Sequence, residues 1–209
     1  MLFVKTVKSI HFLHSMHFLF SLLGAGFQLF AFITYIASIF RGKTKPHLYT
    51  WLLWWTLGTI VTVVQITNEG GWSVLISGLM ALCSLTTAAL SLRYGETRLT
   101  KRDTYLLTAA IITIILWQLS KNDLLAIVLV CIIDAIAFYF TFKKSYSKPY
   151  DEKLSSYVLW TFQLISFALA VRNPTLTTLL YPVFLTIMEG VFVCFLLWRR
   201  KITKNIWLL

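Results

Sequence analysis

Long apolar runs alternate with short polar connections along the whole chain. A helix of about 20 apolar residues crosses the hydrocarbon core of a bilayer, and seven of the runs are close to that length. The predicted spans are residues 17–40, 50–67, 72–93, 104–119, 123–142, 156–172 and 177–198. The pattern therefore predicts an all-α membrane protein with seven transmembrane helices.

Composition points to the same class of protein. Hydrophobic residues make up 58% of the chain and charged residues 13%, which is about half the charged share of a soluble domain. A soluble chain of 209 residues could not bury so much apolar surface, so we expect the lipid bilayer to cover most of it. The net charge of +11 does not indicate nucleic-acid binding, because the basic residues recur in short groups between apolar runs.

The distribution of the basic residues predicts the orientation. Fifteen of the 19 Lys and Arg residues flank or follow the ends of the first, third, fifth and seventh spans. The other four are Lys5, Lys8, Lys121 and Arg172. Because short basic connections stay in the cytoplasm, we predict a cytoplasmic C-terminus and an external N-terminus, which requires an odd number of helices.

An internal repeat is indicated by the connections after the first and fifth spans. Each carries a Lys-Pro pair followed by a Leu-Trp pair that opens the next helix: Lys45-Pro46 with Leu53-Trp54, and Lys148-Pro149 with Leu159-Trp160. Parallel repeats meet at an axis normal to the membrane, with the solute site between them. The predicted units are an external N-terminal segment (1–16), a first three-helix repeat (17–93), a linker helix (94–120), a second repeat (121–198) and a cytoplasmic tail (199–209).

This order of helices resembles that of the PQ-loop and SWEET superfamily. The stretches RGKTKPHLYTWLLW, LLAIVLVCIIDAIAFYFTFKKSYSKP and TTLLYPVFLTIMEGVFV resemble a group of uncharacterised bacterial seven-helix membrane proteins. The resemblance covers most of residues 24–202 and implies a SWEET-like fold in a bacterial inner (plasma) membrane. The chain departs from the superfamily in one respect: its first and fifth helices contain neither a Pro-Gln pair nor any proline.

Two acidic residues in the middle of apolar spans are the strongest candidates for function. Asp134 lies about ten residues into the fifth span and Glu189 about twelve into the seventh. A carboxyl group at membrane depth costs several kcal/mol unless it is paired, neutral or in contact with water. Each acid is therefore expected either to line a solute cavity or to hydrogen-bond a neighbouring helix as a packing contact.

Further polar candidates lie in the first, second and sixth helices. Trp51, Trp55, Gly58, Thr62 and Gln65 follow the spacing of one helix face, which indicates either a cavity wall or a helix–helix contact. Gln28 and Tyr35 share a face of the first helix, and Gln163 lies on the sixth. The predicted substrate-binding residues are Asp134, Glu189, Gln28, Tyr35, Trp55, Thr62, Gln65 and Gln163.

These features favour a transporter or facilitator of a small polar solute, with a non-transporting receptor or membrane assembly protein as the alternative. No catalytic sequence motif is present, so we predict that the protein is not an enzyme. Cys83, Cys131 and Cys194 all lie inside apolar runs without a paired spacing, so no metal site or disulfide is expected. We predict no cofactor and leave homo-oligomer formation open.

Overall fold

The fold consists of α-helices joined by short connections. The computed structural model describes the backbone of residues 2–147, 149–150 and 152–206, and the side chains of 14–139, 141–143, 145–147, 149–150 and 152–203. These ranges form seven helices and no strand: α1 (Leu2–Phe40), α2 (Leu48–Thr67), α3 (Ser73–Tyr94), α4 (Lys101–Ser120), α5 (Asp123–Ser147), α6 (Leu154–Ala170) and α7 (Leu176–Ile206). The predicted all-α class is thus confirmed.

Six of these helices are long and apolar enough to cross a membrane, and α6, with 17 residues, is a shorter apolar helix. The protein is therefore a multi-pass membrane protein. Helix α1 begins at Leu2, so the predicted external segment 1–16 is helical from its second residue. Helices α5 and α7 also run beyond their predicted ends, because a helix keeps its backbone hydrogen bonds outside the hydrocarbon while its basic side chains reach the polar interface.

The order of packing is the same in the first three helices and in the last three. Helix α3 packs closely against both α1 and α2, whereas the backbones of α1 and α2 stay apart in the described part of the chain. In the same way α7 lies between α5 and α6. The two groups meet through α1 against α6 and α2 against α5, and α4 packs outside them on α5 and α2.

At one end of the bundle, Asp123 ties three helices together. Its carboxylate accepts hydrogen bonds from Trp117 Nε1 at 2.7 Å, Asn68 Nδ2 at 2.6 Å and Thr67 Oγ1 at 3.0 Å. These donors come from the end of α4 and the end of α2, while Asp123 begins α5. The acid therefore fixes the position of α5, which carries Asp134 farther along the same helix.

A second link at this end joins the α2–α3 and α6–α7 connections. The backbone N–H of Arg172 donates to the carbonyl of Gly70 at 2.9 Å. The neighbouring Gly71 has φ +67°, and a Cβ there would lie 2.6 Å from the Cβ of Arg172. Only glycine combines this left-handed backbone with so close an approach.

The opposite end, which we call the basic end, is closed by backbone and arginine contacts. Leu48 N–H donates to Glu96 O at 2.9 Å and Glu96 N–H donates to Pro46 O at 2.8 Å, so the α1–α2 and α3–α4 connections are paired. Arg200 of α7 donates to the carbonyls of Pro149 at 3.0 Å and Glu152 at 2.6 Å. Both ends of the bundle are thus fixed around the space between the helices.

Candidate functional site

A cavity of about 110 Å³ lies inside the bundle. One water needs roughly 10–15 Å³ of such space, so the cavity has room for several waters or a small organic molecule. Every helix except α4 contributes to its wall. Its described lining residues are Gln28, Phe32 and Tyr35 from α1; Trp51, Trp54 and Gly58 from α2; Met80, Cys83 and Ser84 from α3; Asp134, Ala137, Phe138 and Thr141 from α5; Tyr157, Trp160, Gln163 and Leu164 from α6; and Tyr181, Leu185 and Glu189 from α7.

Two carboxyl groups face this cavity from the neighbouring helices α5 and α7. Asp134 is 2% exposed and Glu189 is 8% exposed. Oδ2 of Asp134 and Oε2 of Glu189 have no hydrogen-bond partner among the described residues. Tyr181 is a hydrogen-bonding neighbour of Asp134. Buried polar atoms are nearly always paired with protein or water, so these two oxygens indicate a site that is completed by water or a ligand.

Amide and thiol groups also line the cavity. Gln28 is a hydrogen-bonding neighbour of the Cys83 thiol. Gln163 Nε2 donates to Met80 Sδ at 3.1 Å, which is a weak acceptor. Because this hydrogen bond is weak, the amide can donate instead to a stronger acceptor on a ligand with little loss of free energy. The cavity wall therefore offers neutral donors and acceptors in addition to the acids.

Aromatic rings occupy the part of the cavity toward the basic end. The Trp51 and Trp54 rings meet edge to face with centroids 5.0 Å apart, and the Tyr157 and Trp160 rings do so at 5.4 Å. The ring of Tyr35 lies 5.1 Å from that of Trp51. Edge-to-face pairs hold aromatic rings in fixed orientations, so this part of the wall is rigid.

Five of the predicted site residues are brought together on this cavity: Asp134, Glu189, Gln28, Tyr35 and Gln163. They come from four helices: α1 and the three consecutive helices α5, α6 and α7. Whether these residues bind a solute stays a prediction.

The other three predicted residues, Trp55, Thr62 and Gln65, do not line the cavity. Trp55 is 37% exposed on the outer surface of α2, and Thr62 Oγ1 donates to the carbonyl of Gly58 in its own helix at 2.7 Å. The cavity face of α2 instead runs through Trp51, Trp54 and Gly58. Residues three and four positions apart lie on the same face of a helix, so a stripe can run through either Trp54 or Trp55 between Trp51 and Gly58. The sequence pattern alone does not distinguish the two.

Gln65 has a structural partner instead. Its Nε2 donates to the carbonyl of Thr178 at 2.7 Å, and its Oε1 accepts from Ser73 Oγ at 3.0 Å. In a regular helix the Thr178 carbonyl would accept from residue 182, but that residue is Pro182, which has no N–H. Gln65 therefore supplies the donor that the proline removes, as a polar side chain must do at membrane depth.

Sequence reasoning missed Trp54, Tyr157, Thr141 and Tyr181 as cavity residues. A signal for the first two exists in the sequence. Tyr157 and Trp160 stand three apart on α6 in the same way that Trp51 and Trp54 do on α2, next to the repeated Leu-Trp pairs. No comparable pattern marks Tyr181, whose position beside Asp134 depends on how α5 and α7 pack.

The cavity residues of the first and second halves correspond at one fixed spacing. Seven pairs of lining residues stand 106 positions apart: Gln28 and Asp134, Phe32 and Phe138, Tyr35 and Thr141, Trp51 and Tyr157, Trp54 and Trp160, Gly58 and Leu164, and Cys83 and Glu189. Both halves of the chain thus contribute lining residues at this spacing, and both acids come from the second half.

A second, wider cleft of about 800 Å³ lies at the basic end. Arg41, Lys43, Lys153 and Glu152 are among its lining residues. Tyr157, which also lines the inner cavity, donates its hydroxyl to Glu152 Oε2 at 3.0 Å. This hydrogen bond therefore stands between the inner cavity and the cleft.

The cavity wall is chemically mixed. No group of three or more His, Cys, Asp and Glu side chains that could hold a metal ion occurs in the described part of the chain. The lining combines carboxyl, amide and hydroxyl groups with aromatic rings, as small-molecule sites do. No protein-family model, curated protein or solved structure matches this chain.

Proposed function

We propose that this membrane protein binds a small polar solute in the central cavity and carries it across the bilayer as a transporter or facilitator. The observation that carries the proposal is the pair of buried carboxyl groups, Asp134 and Glu189, each with an unpartnered oxygen facing one cavity. Such groups are costly at membrane depth and mark solute or ion pathways. The amides of Gln28 and Gln163 complete a polar site inside an apolar bundle.

The proposal includes two parallel three-helix repeats joined by α4. The helix contacts agree with this arrangement. If α1 is exchanged with α5, α2 with α6 and α3 with α7, every observed contact that does not involve α4 becomes another observed contact. The spacing of 106 positions between paired lining residues gives independent support. A solute site at the interface of two repeats is the common arrangement in transporters built this way.

The cleft at the basic end offers the route of entry or exit. The Tyr157–Glu152 hydrogen bond joins a residue of the inner cavity to a residue of the cleft, and the proposed route opens by rotation of the Tyr157 side chain. The excess of basic residues at this end supports a cytoplasmic location. The proposed orientation therefore has the C-terminus in the cytoplasm and the N-terminus outside, in a bacterial inner membrane.

A receptor or assembly protein that does not transport is the second candidate. It is favoured by the lack of proline in α1 and α5, since a broken helix is a usual hinge for alternating access. Helix α7, however, contains Pro182 between the cavity residues Tyr181 and Leu185. This position supplies a hinge within the second repeat, which favours transport over simple recognition.

Uptake by purified protein in proteoliposomes tests transport directly. Radiolabelled glycerol and choline serve as a neutral and a charged probe. Ala137→Phe adds a ring at the cavity wall, whereas Ile136→Phe adds the same group at the neighbouring residue, which is 44% exposed outside the cavity. We expect uptake of at least one probe by the unmodified protein and the Ile136 variant, and its loss in the Ala137 variant.

Accessibility of Cys83 separates transport from recognition. Its thiol lines the cavity, whereas Cys131 is buried away from it. Membrane-impermeant thiol reagents applied to each face of oriented vesicles should modify Cys83 from both faces in a transporter. Modification from one face alone, together with no uptake, would favour the receptor.

A further inference from the structure

The described wall of the cavity carries acidic side chains and no basic ones. Asp134 and Glu189 are both more than nine-tenths buried, and no lysine or arginine is found among the described side chains that line the cavity. A carboxylate at membrane depth is tolerated when a cation or hydrogen-bond donors compensate its charge. Because the described lining offers no basic side chain, a cationic ligand would supply this compensation from outside the chain.

The lining also indicates which kind of cation fits. Calcium takes six to eight oxygen ligands, whereas the described cavity wall supplies two carboxyl groups. No group of three or more His, Cys, Asp and Glu side chains that could hold a metal ion occurs in the described part of the chain. The wall of the same cavity also carries aromatic rings, among them those of Tyr35, Trp51, Trp54, Tyr157 and Trp160. Aromatic rings bind alkylammonium groups through their faces, and tryptophan is the best of them.

The two kinds of group lie close enough to act on one ligand. Glu189 and Tyr157 face the same part of the cavity and interact electrostatically. Trp160, in turn, is in edge-to-face contact with Tyr157. A bound ammonium group near Glu189 would therefore also lie near the rings, and its organic body would extend toward the amides of Gln28 and Gln163.

We infer that the cavity is built for a small organic cation, an amine or quaternary ammonium compound, with Asp134 and Glu189 as its counter-charges and the tryptophan and tyrosine rings as its cage. The inference rests on the proposed function, because it names the class of solute that the same site takes. The first half supplies neutral residues, Gln28 and Cys83, at the positions that match the two acids. One end of the ligand is therefore charged and the other neutral.

A pair of probes that differ only in charge tests the inference. Choline and 3,3-dimethylbutan-1-ol have the same shape, with a quaternary nitrogen in the first replaced by carbon in the second. Binding of both to the purified full-length protein in lipid nanodiscs is measured by calorimetry. Tetramethylammonium and tryptamine are included to cover smaller and larger cations. We expect at least one cation to bind, and the uncharged alcohol to bind at least about tenfold more weakly than choline.

Matched variants connect the binding to the two acids. Asp134→Asn and Glu189→Gln keep the shape of each side chain and remove its charge, so we expect each to weaken cation binding by about tenfold or more. Glu69→Gln makes the same change at an exposed residue that does not line the cavity and should leave binding unchanged. Equal binding of the charged and uncharged probes, or cation binding that survives in both acid variants, would overturn the inference.

The uptake assay separates failure of this inference from failure of the proposed function. If glycerol enters proteoliposomes in a manner blocked by Ala137→Phe while no cation binds or enters, the solute is neutral and only the cation assignment fails. If no probe binds or enters, both proposals fail.

Discussion

Gln28 and Asp134 stand 106 positions apart in the chain and face one cavity from α1 and α5. The same spacing relates Cys83 to Glu189. The cavity thus receives an amide from α1, a thiol from α3 and two carboxyl groups from α5 and α7. Both of its acids come from the second half of the chain.

Neutralising Asp134 should weaken cation binding without lowering the stability of the fold. Asp134→Asn replaces a buried carboxyl that has an unpartnered oxygen with a neutral group of the same shape. We expect the free energy of unfolding to stay the same or rise by about 1 kcal/mol, because the cost of a buried unpaired charge is removed. Thermal unfolding in detergent measures the change, and a large loss of stability would show that the carboxylate is a packing contact.

Gln65→Leu should destabilise the fold without affecting the cavity. The substitution leaves the Thr178 carbonyl without a donor, because Pro182 has no N–H to offer. An unsatisfied buried carbonyl costs about 1–3 kcal/mol. Chemical or thermal unfolding measures this loss. A second substitution, Pro182→Ala, restores the helix donor and should recover part of the stability, whereas no recovery would contradict the proposed role of Gln65.

Trp54 and Trp55 are adjacent in sequence and should respond differently to the same change. Trp54 lines the cavity, whereas Trp55 is on the outer surface of α2. Trp54→Leu removes a ring of the proposed cage and should weaken cation binding about three- to tenfold. Trp55→Leu should leave the affinity unchanged in the same calorimetric titration. A stronger effect at Trp55 than at Trp54 would show that the other face of α2 meets the ligand.

Gly71→Ala should destabilise the α2–α3 connection. Its backbone has φ +67°, and the added Cβ would meet Arg172, so we expect a loss of about 1–3 kcal/mol. Gly26 provides the control, since a Cβ there has no neighbour within 4 Å and alanine favours the helix by up to about 1 kcal/mol. Unfolding midpoints of the two variants, measured side by side, should move in opposite directions.

Tyr157→Phe should open the cavity toward the basic end. The substitution keeps the ring but removes the hydroxyl that donates to Glu152. We expect Cys83 to react faster with an impermeant thiol reagent added at that face, by about three- to tenfold, since one hydrogen bond contributes about 1 kcal/mol. An unchanged rate in the variant would show that another contact closes this route.

The sequence alone predicts the helices and points to the acids. The apolar runs predict seven helices, and all seven are present. Charge at membrane depth is so costly that Asp134 and Glu189 had to face the interior, and both line the cavity. Both features follow from the type of each residue and its position along an apolar run, which the sequence shows directly.

Tertiary structure decided which face of each helix meets the cavity. In a membrane, the lipid-facing and protein-facing sides of a helix are both apolar, so no strong periodicity separates Trp54 from Trp55. For the same reason the sequence does not show that Tyr181 faces the cavity. Its contact with Asp134 arises because α7 packs against α5. The sequence pattern also pointed to Gln65 as a cavity residue, because its actual partner, the Thr178 carbonyl, lies 113 positions away on α7. That carbonyl lacks its usual helix donor because residue 182 is a proline. Such relationships depend on the rotation and contact of helices, which only packing in three dimensions fixes.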